Sequence, residues 1–273
     1  IPIVFHCHNR LFQRSAITLT GRSLEVARAN VIACCEYVAV PLRKFLDRGR
    51  ISVIYNGVEK LRDASCRLRS GMPRVGVVGR IESEKGQLEF VNAARRVAKR
   101  IPDCRFAIIG APMFSGDSYY KKVVAASAGL PVEFSGWQDD ISQIFANLDL
   151  LVVPSTRVEA TTRVILEAYS AGVPVAAFAC GGIPEVVRNN ETGFLAGDQT
   201  PEGLADCIVS ALEMHPTAIT EVRNRARAYW SENFRLDAYR LKVCAVVDDA
   251  VRRRIQSPGL RYASTDKGAE YFD

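Results

Sequence analysis

A chain of 273 residues, 48% hydrophobic and 24% charged, has ordinary globular composition and room for one large or two modest domains. No stretch of it reads as a signal peptide or as the roughly 18 apolar residues of a membrane span. The eight cysteines form no CxxC pair, which argues against a zinc site or a disulfide framework, and the net charge of +6 comes with no nucleic-acid-binding motif.

The sequence opens at Ile1 without Met and already in strand-like residues. It is expected to be a piece of a longer protein, with residues 1–58 the last third of a domain. Ile3 to Phe5 and Val31 to Ala33 read as strands, Ser23 to Ala29 and Val40 to Arg48 as helices. Ile51 to Tyr55 is a further strand running into the Asn56-Gly57 turn. Residues 59–73, with Arg67, Arg69, Ser70, Gly71 and Pro73, read as linker.

A regular alternation follows. Strands are predicted at Val75–Val78, Arg105–Ile109, Val132–Phe134, Leu150–Val153, Val175–Phe178 and Gly193–Leu195. Helices are predicted between and after them at Gly86–Arg100, Tyr119–Ala128, Ile141–Asn147, Arg163–Ala171, Pro184–Arg188 and Pro201–Glu213. Such alternation implies right-handed βαβ units and a doubly wound parallel sheet, an α/β fold. Ile219 to Arg254 is helical in pattern throughout, and residues 256–273 are polar, aperiodic and expected to be disordered.

The loops at strand ends carry the chemistry, because open α/β sheets bind ligands at the carboxyl ends of their strands. Glu159 lies in the loop after Leu150–Val153, and Glu167 lies in the helix that follows. Within that helix only Arg163, Glu167 and Ser170 are polar, one stripe expected to face something wet or charged. The plainer alternative is an Arg163–Glu167 ion pair on a solvated face. Gly79-Arg80 follows a strand and Lys85-Gly86 opens the next helix, a spacing of cations that suits a diphosphate. Neither a P-loop nor a GxGxxG fingerprint is present. Gly181-Gly182-Ile183-Pro184-Glu185 is a tight strand-to-helix turn whose glycines permit close backbone approach to a ligand. His6 and His8 alternate, so they are expected on opposite faces. Trp137 is assigned to the core in preference to a base-covering position. Basic pairs such as Arg43-Lys44, Arg95-Arg96, Lys99-Arg100 and the run Arg252–Arg254 read as solvated helix faces, with attraction to anionic lipid left open. The scattered cysteines, with Cys104, Cys207 and Cys244 in apolar runs, suit a reducing compartment.

Taken in order, these landmarks resemble the retaining, nucleotide-sugar-dependent glycosyltransferases of GT-B fold, in the family-four group. The matching segments are Pro2 to His8, Asn56-Gly57-Val58, Val78-Gly79-Arg80 with Glu84-Lys85-Gly86, and Phe134-Ser135-Gly136. They continue with Pro154-Ser155, Glu159 to Glu167, Ala171 to Val175, Gly181 to Glu185 and Thr192-Gly193-Phe194. The likeness covers about residues 1–250. It implies residues 1–58 as the end of an acceptor-side Rossmann-like domain, 59–235 as the nucleotide-sugar-binding domain, and 236–255 as a helix returning to the first.

The resemblance also implies roles. Arg80 and Lys85 would hold the donor diphosphate, and Glu167 the ribose hydroxyls. Glu159 would bind the transferred sugar, aided by backbone N–H groups of Thr161, Thr162 and Arg163. His8 would face the acceptor, and Gly79, Gly136, Gly181 and Gly182 would line the donor. No cofactor or metal is implied. The donor would be a UDP-, GDP- or ADP-sugar and the acceptor a glycan, a lipid or a small molecule, as in polysaccharide or glycolipid biosynthesis. The expected location is cytoplasmic, with peripheral membrane contact left open. Thr162 stands where the family often has glycine. Two alternatives remain: a non-transferase relative such as a nucleotide-sugar epimerase, and an inactive donor-binding module. A nicotinamide dehydrogenase is disfavoured by the missing glycine fingerprint.

Overall fold

The computed structural model describes residues 1–64, 71–114, 117–157 and 159–256. Cys66, the predicted linker residues Arg67, Arg69 and Ser70, and residues 257–273 of the predicted tail lie outside the described residues.

The first unit is a parallel sheet of β1 (Val4–Cys7), β2 (Asn30–Ala33) and β3 (Ile51–Val53), in that order. Helix α1 (Arg14–Val26) joins β1 to β2, and the short α2 (Glu36–Ala39) runs into a 3-10 turn at Val40–Lys44. Helix α1 begins at Arg14 and not at Ser23 as the pattern suggested. Its β-branched Ile17, Thr18 and Thr20 weaken the helical signal, but tertiary packing overrides it: Gly21 sits so close to the Phe45 ring that a Cβ would lie 2.3 Å from it. The helix ends early because Arg28 takes a left-handed φ of 49°.

The second unit begins with β4 (Arg74–Val78). It continues through α3 (Gln87–Arg100), β5 (Arg105–Ile109), α4 (Asp117–Ala126), β6 (Val132–Gly136) and α5 (Ile141–Ala146). Next come β7 (Leu150–Val153), α6 (Arg163–Ala171), β8 (Val175–Ala177), α7 (Ile183–Val186), β9 (Phe194–Leu195) and α8 (Pro201–Leu212). All neighbouring strands are parallel, in the order β6-β5-β4-β7-β8-β9. Strand β7 is buried along its whole length, as expected of an apolar strand covered on both faces. The order reverses at β4, which has β5 on one side and β7 on the other. The crevice beyond the carboxyl ends of β4 and β7 is therefore the switch point at which such sheets bind ligands.

The C-terminal helical region is broken once, into α9 (Pro216–Asn233) and α10 (Leu236–Gln256). Helix α9 packs on α6 in the second unit, whereas α10 packs on β1 and β2 in the first. At the break, Val58 N–H donates to Phe234 O at 2.9 Å and Leu236 N–H donates to Val58 O at 3.1 Å. The chain thus leaves the first unit and returns to it through adjacent, hydrogen-bonded segments.

Each sheet has its own buried cluster, with Tyr55 packed against both. One residue of each basic run pairs with an acid on a helix surface: Arg43 with Glu36, Arg96 with Glu202, Arg100 with Asp206 and Arg253 with Asp249. Cys104 is buried, but Cys244 is exposed, contrary to its apolar surroundings in sequence. The described cysteines are free thiols. No described helix is long and apolar enough to cross a membrane.

Candidate active site

Beyond β4 the chain turns through Gly79 and Arg80 into a 3-10 turn at Ser83–Lys85, and α3 starts after Gly86. Gly86 is required there. Its φ is 73°, and a Cβ would fall 1.8 Å from Pro154 O. This contact, with Thr156 N–H donating to Glu84 O at 3.0 Å, presses the Lys85 turn against the segment leaving β7.

Glu159 lies on that segment and is 8% exposed. Its Oε2 accepts from Lys85 Nζ at 2.6 Å and from the buried Ser155 Oγ at 2.9 Å. Among the described residues no hydrogen bond engages Oε1, which leaves it open to a ligand hydroxyl. The turn Gly181-Gly182 backs Glu159 from the protein side. Gly182 N–H donates to Glu159 O at 2.8 Å, and a Cβ on Gly181 would lie 2.0 Å from the same oxygen.

Helix α6 starts at Arg163 from an extended Thr162, which makes no side-chain cap. The φ of Thr162 is −77°, so the β-branched residue needs no left-handed backbone here. The uncapped N-terminus carries the positive end of the helix dipole. Glu167 follows one turn on. Its side chain is only 17% exposed and 3.5 Å from Arg163. Burial pushes the Glu167 carboxyl above its usual range, and Arg163 pulls it partly back. The polar stripe is not uniformly wet. Ser170 is buried, accepting from Leu61 N–H at 2.8 Å and donating to Glu59 O at 3.0 Å, so it anchors the chain leaving the first unit.

Arg80, Lys85, Glu159, Thr162, Arg163 and Glu167 line one cleft of about 420 Å³ together with Gly79, Met113 and Trp137. The ends of β4 and β7 form its floor. Arg80 lies 4.9 Å over the Phe114 ring and 3.5 Å from Glu84. The buried Glu82 fixes the rim on which Arg80 rests by accepting from Met113 N–H and Phe114 N–H at 3.2 and 2.7 Å. Trp137 is 60% exposed at this rim and not in the core; Gly136, at a φ of 65°, turns it outward, and its indole donates to Asp139 at 2.9 Å.

Other predicted residues lie outside the cleft wall. Gly136 ends β6, and Gly181 and Gly182 stand behind Glu159. The buried Thr161 turns its hydroxyl toward Cys34 O at 3.4 Å and Asn56 Nδ2 at 3.4 Å, spanning the two units. His8 is exposed just past β1. The His6 and His8 rings do not point to opposite faces; their centroids are 4.1 Å apart, because strand geometry stops at Cys7. Burial and the neighbouring His8 hold the His6 imidazole below its usual range. Among the described residues no cluster of His, Cys, Asp and Glu has metal-ligand geometry.

One residue escaped the sequence reading. The Glu185 carboxylate reaches from α7 to the first unit, accepting from Glu36 N–H at 2.8 Å, Tyr37 N–H at 2.7 Å and the Tyr55 hydroxyl at 2.8 Å. The sequence marks it only as the end of a glycine-rich turn.

The cleft thus sets cations and a helix N-terminus beside two enclosed carboxylates, an arrangement able to take an anion at one end and hydroxyls at the other. Comparison with known proteins gives the chain a family. A sulfoquinovosyl transferase of Arabidopsis thaliana is 31% identical over 69% of this chain and 36% of its own length. A 2-deoxystreptamine glucosyltransferase of Streptomyces kanamyceticus is 29% identical over 81% of this chain and 58% of its own length. The chain therefore spans between about a third and three fifths of these relatives. Among solved structures, HepE of Anabaena in complex with UDP and glucose is 25% identical with a TM-score of 0.79, covering 90% of this chain and 71% of that one. Sucrose-phosphate synthase of Thermosynechococcus elongatus is 23% identical with a TM-score of 0.73, covering 88% of this chain and 63% of that one. The fold is of the GT-B type. A family model for glycosyl transferases group 1 matches residues 72–214, and the chain belongs to that family.

Proposed function

We propose that this chain carries the donor site of a glycosyltransferase that moves a sugar from a nucleoside-diphosphate donor to a hydroxyl acceptor. The reading rests on one observation above all. Lys85, Glu159, Arg80 and Glu167, drawn from three separate segments, converge on one cleft at the sheet's switch point.

Arg80 and Lys85 hold the diphosphate, and the uncapped start of α6 adds backbone N–H donors of Thr161, Thr162 and Arg163. Departure of the nucleoside diphosphate concentrates negative charge on its phosphates. Cations fixed beforehand stabilise that charge more in the transition state than in the ground state. Lys85 has three N–H donors, so it can keep Glu159 while binding phosphate. Glu159 Oε1 accepts a hydroxyl of the transferred sugar. Glu167, on α6, accepts the ribose hydroxyls. His8 faces the acceptor, which is a glycan, a lipid or a small molecule. The anomeric configuration is retained and no divalent metal takes part, since side-chain cations occupy the place where a metal would neutralise the phosphates.

Structures of HepE contain UDP or UDP-glucose, which makes UDP the first nucleotide to test. Calorimetry with UDP, followed by NMR of the product formed from UDP-glucose in excess chelator, tests the reading. Binding with a retained anomeric centre supports it. An inverted product, or activity abolished by chelator, overturns the stereochemical and metal-free parts.

A further inference from the structure

Helix α2 has no cap of its own. Its N-cap residue, Cys35, makes no side-chain bond to the helix start. The first N–H groups of such a helix need an acceptor. Here both Glu36 N–H and Tyr37 N–H find one in a residue 149 and 148 positions away, Glu185 of the other unit. The Tyr55 hydroxyl, just beyond β3, donates to the same carboxylate at 2.8 Å. One side chain thus takes three hydrogen bonds from the first unit.

The other side of the same turn carries the cleft. Gly181 and Gly182, immediately before α7, lie against the backbone oxygens of Glu159 and Ala160, with Gly182 N–H bonded to Glu159 O. A Cβ on Gly182 would meet Ala160 O at 2.0 Å and the Cys35 sulfur at 3.0 Å, so no slack exists between the two units at this point. A displacement of α2 is therefore passed through Glu185 to the turn, and through the turn to the backbone of Glu159. The second contact between this loop and the first sheet, through Thr161, has longer hydrogen bonds of 3.4–3.5 Å and a weaker grip.

We propose that Glu185 is a positioning residue that clasps the first sheet to the Gly181–Ile183 turn and so sets Glu159 relative to the acceptor side of the cleft. Arg80, Lys85 and Glu167 all belong to the second unit and feel the clasp only through the Lys85–Glu159 bond, so donor diphosphate affinity depends on it less than alignment for transfer does. The kinetic consequence rests on the transferase reading above; the mechanical coupling does not.

The test compares Glu185→Gln and the milder Tyr55→Phe with the unaltered full chain. In Glu185→Gln the new amide NH₂ must confront one of two backbone N–H donors, which breaks the clasp while keeping size. Hydrogen exchange of individual amides reads the coupling, UDP calorimetry the donor site, and UDP-glucose turnover the alignment. Glu36, Tyr37 and Gly182 amides should lose protection together in Glu185→Gln, with UDP affinity changed far less than kcat, which should fall by about 10²-fold, the scale of a small misplacement of reacting groups. Tyr55→Phe should move the same readouts in the same direction by less. Loss of protection at Glu36 and Tyr37 alone, with Gly182 and turnover untouched, would reduce Glu185 to a local helix cap and overturn the proposal. A fall in UDP affinity matching the fall in turnover would overturn it equally, by making Glu185 part of the donor site. A chain that binds none of UDP, GDP and ADP and turns over none of their sugars would refute the transferase reading, and the exchange data alone would then decide the clasp.

Discussion

Lys85 Nζ lies 2.6 Å from Glu159 Oε2, and both side chains are largely enclosed, at 22% and 10% exposure. Each residue is the other's neutralising partner before any ligand arrives. Removing the lysine charge alone leaves an enclosed carboxylate whose remaining hydrogen-bond partner among the described residues is Ser155. Lys85→Met is therefore expected to destabilise the fold by about 2 kcal/mol, less than a fully buried pair because of the remaining exposure. Adding Glu159→Gln to it should recover much of that loss without restoring UDP binding. Urea unfolding of the single and double variants checks the first statement, and calorimetry the second.

Glu167 presents the opposite trade. Its folded pKa is raised by burial, so the native state holds the proton more tightly than the unfolded chain does. Stability is then unaffected well below the ordinary carboxyl pKa of 4.5 and falls as pH rises through the interval up to the folded pKa. Glu167→Gln should be more stable than the unaltered chain at neutral pH, and the advantage should vanish in acid. Thermal melts across pH give the answer; an advantage that grows toward acid would mean the sign is wrong.

The same residue should matter for ligand. A carboxylate accepting ribose hydroxyls contributes about 1.5–3 kcal/mol, so Glu167→Ala is expected to weaken UDP binding by at least about tenfold. Unchanged affinity in calorimetry would leave Glu167 as no more than the ion-pair partner of Arg163.

Arg80 rests on the Phe114 ring with only a 3.5 Å contact to Glu84, so its charge is weakly committed within the protein. Arg80→Lys keeps the charge and loses the planar fork. Turnover of UDP-glucose should fall by more than UDP affinity does, because the fork matters most when charge develops on the leaving phosphates. Parallel losses in both would place Arg80 in ground-state binding alone.

Gly181 has a φ of 58° and faces Glu159 O across a gap that a Cβ would close to 2.0 Å. Gly181→Ala combines backbone strain with a clash against main chain, which cannot rotate away. A loss of at least about 1–2 kcal/mol is expected. The Gly182–Glu159 hydrogen bond should loosen with it, visible as faster exchange of the Gly182 amide.

Much of the second unit could be read from sequence because its physics is local. Strands β5 and β7 are apolar runs of strand length, and α6 stops where Gly172, at a φ of 73°, supplies a left-handed end. Helix α1 was misplaced because its boundaries depend on Phe45 and on Arg28, neither visible as a periodic pattern. Cations and carboxylates were identifiable by their positions after strands. Trp137 was not, since its exposure follows from the turn at Gly136 and not from its apolar character. Glu185 was missed for a plainer reason: its partners are up to 149 residues away, and nothing in a single sequence pairs them.

Among the described residues, the chain passes between the two units at Val58 and again at Phe234–Leu236, and these two passages are bonded side by side. Two supports placed apart would resist rotation, but two placed together act as one pin. The paired backbone leaves rotation about this point open while resisting sliding, and the contacts at Glu185 and Thr161 are what oppose that rotation. Displacement grows with distance from the pin, so a small angular change there becomes a larger displacement at the far edges of the two units. The covalent layout itself therefore leaves the angle between the units to be set by noncovalent contacts, with Glu185 foremost among them.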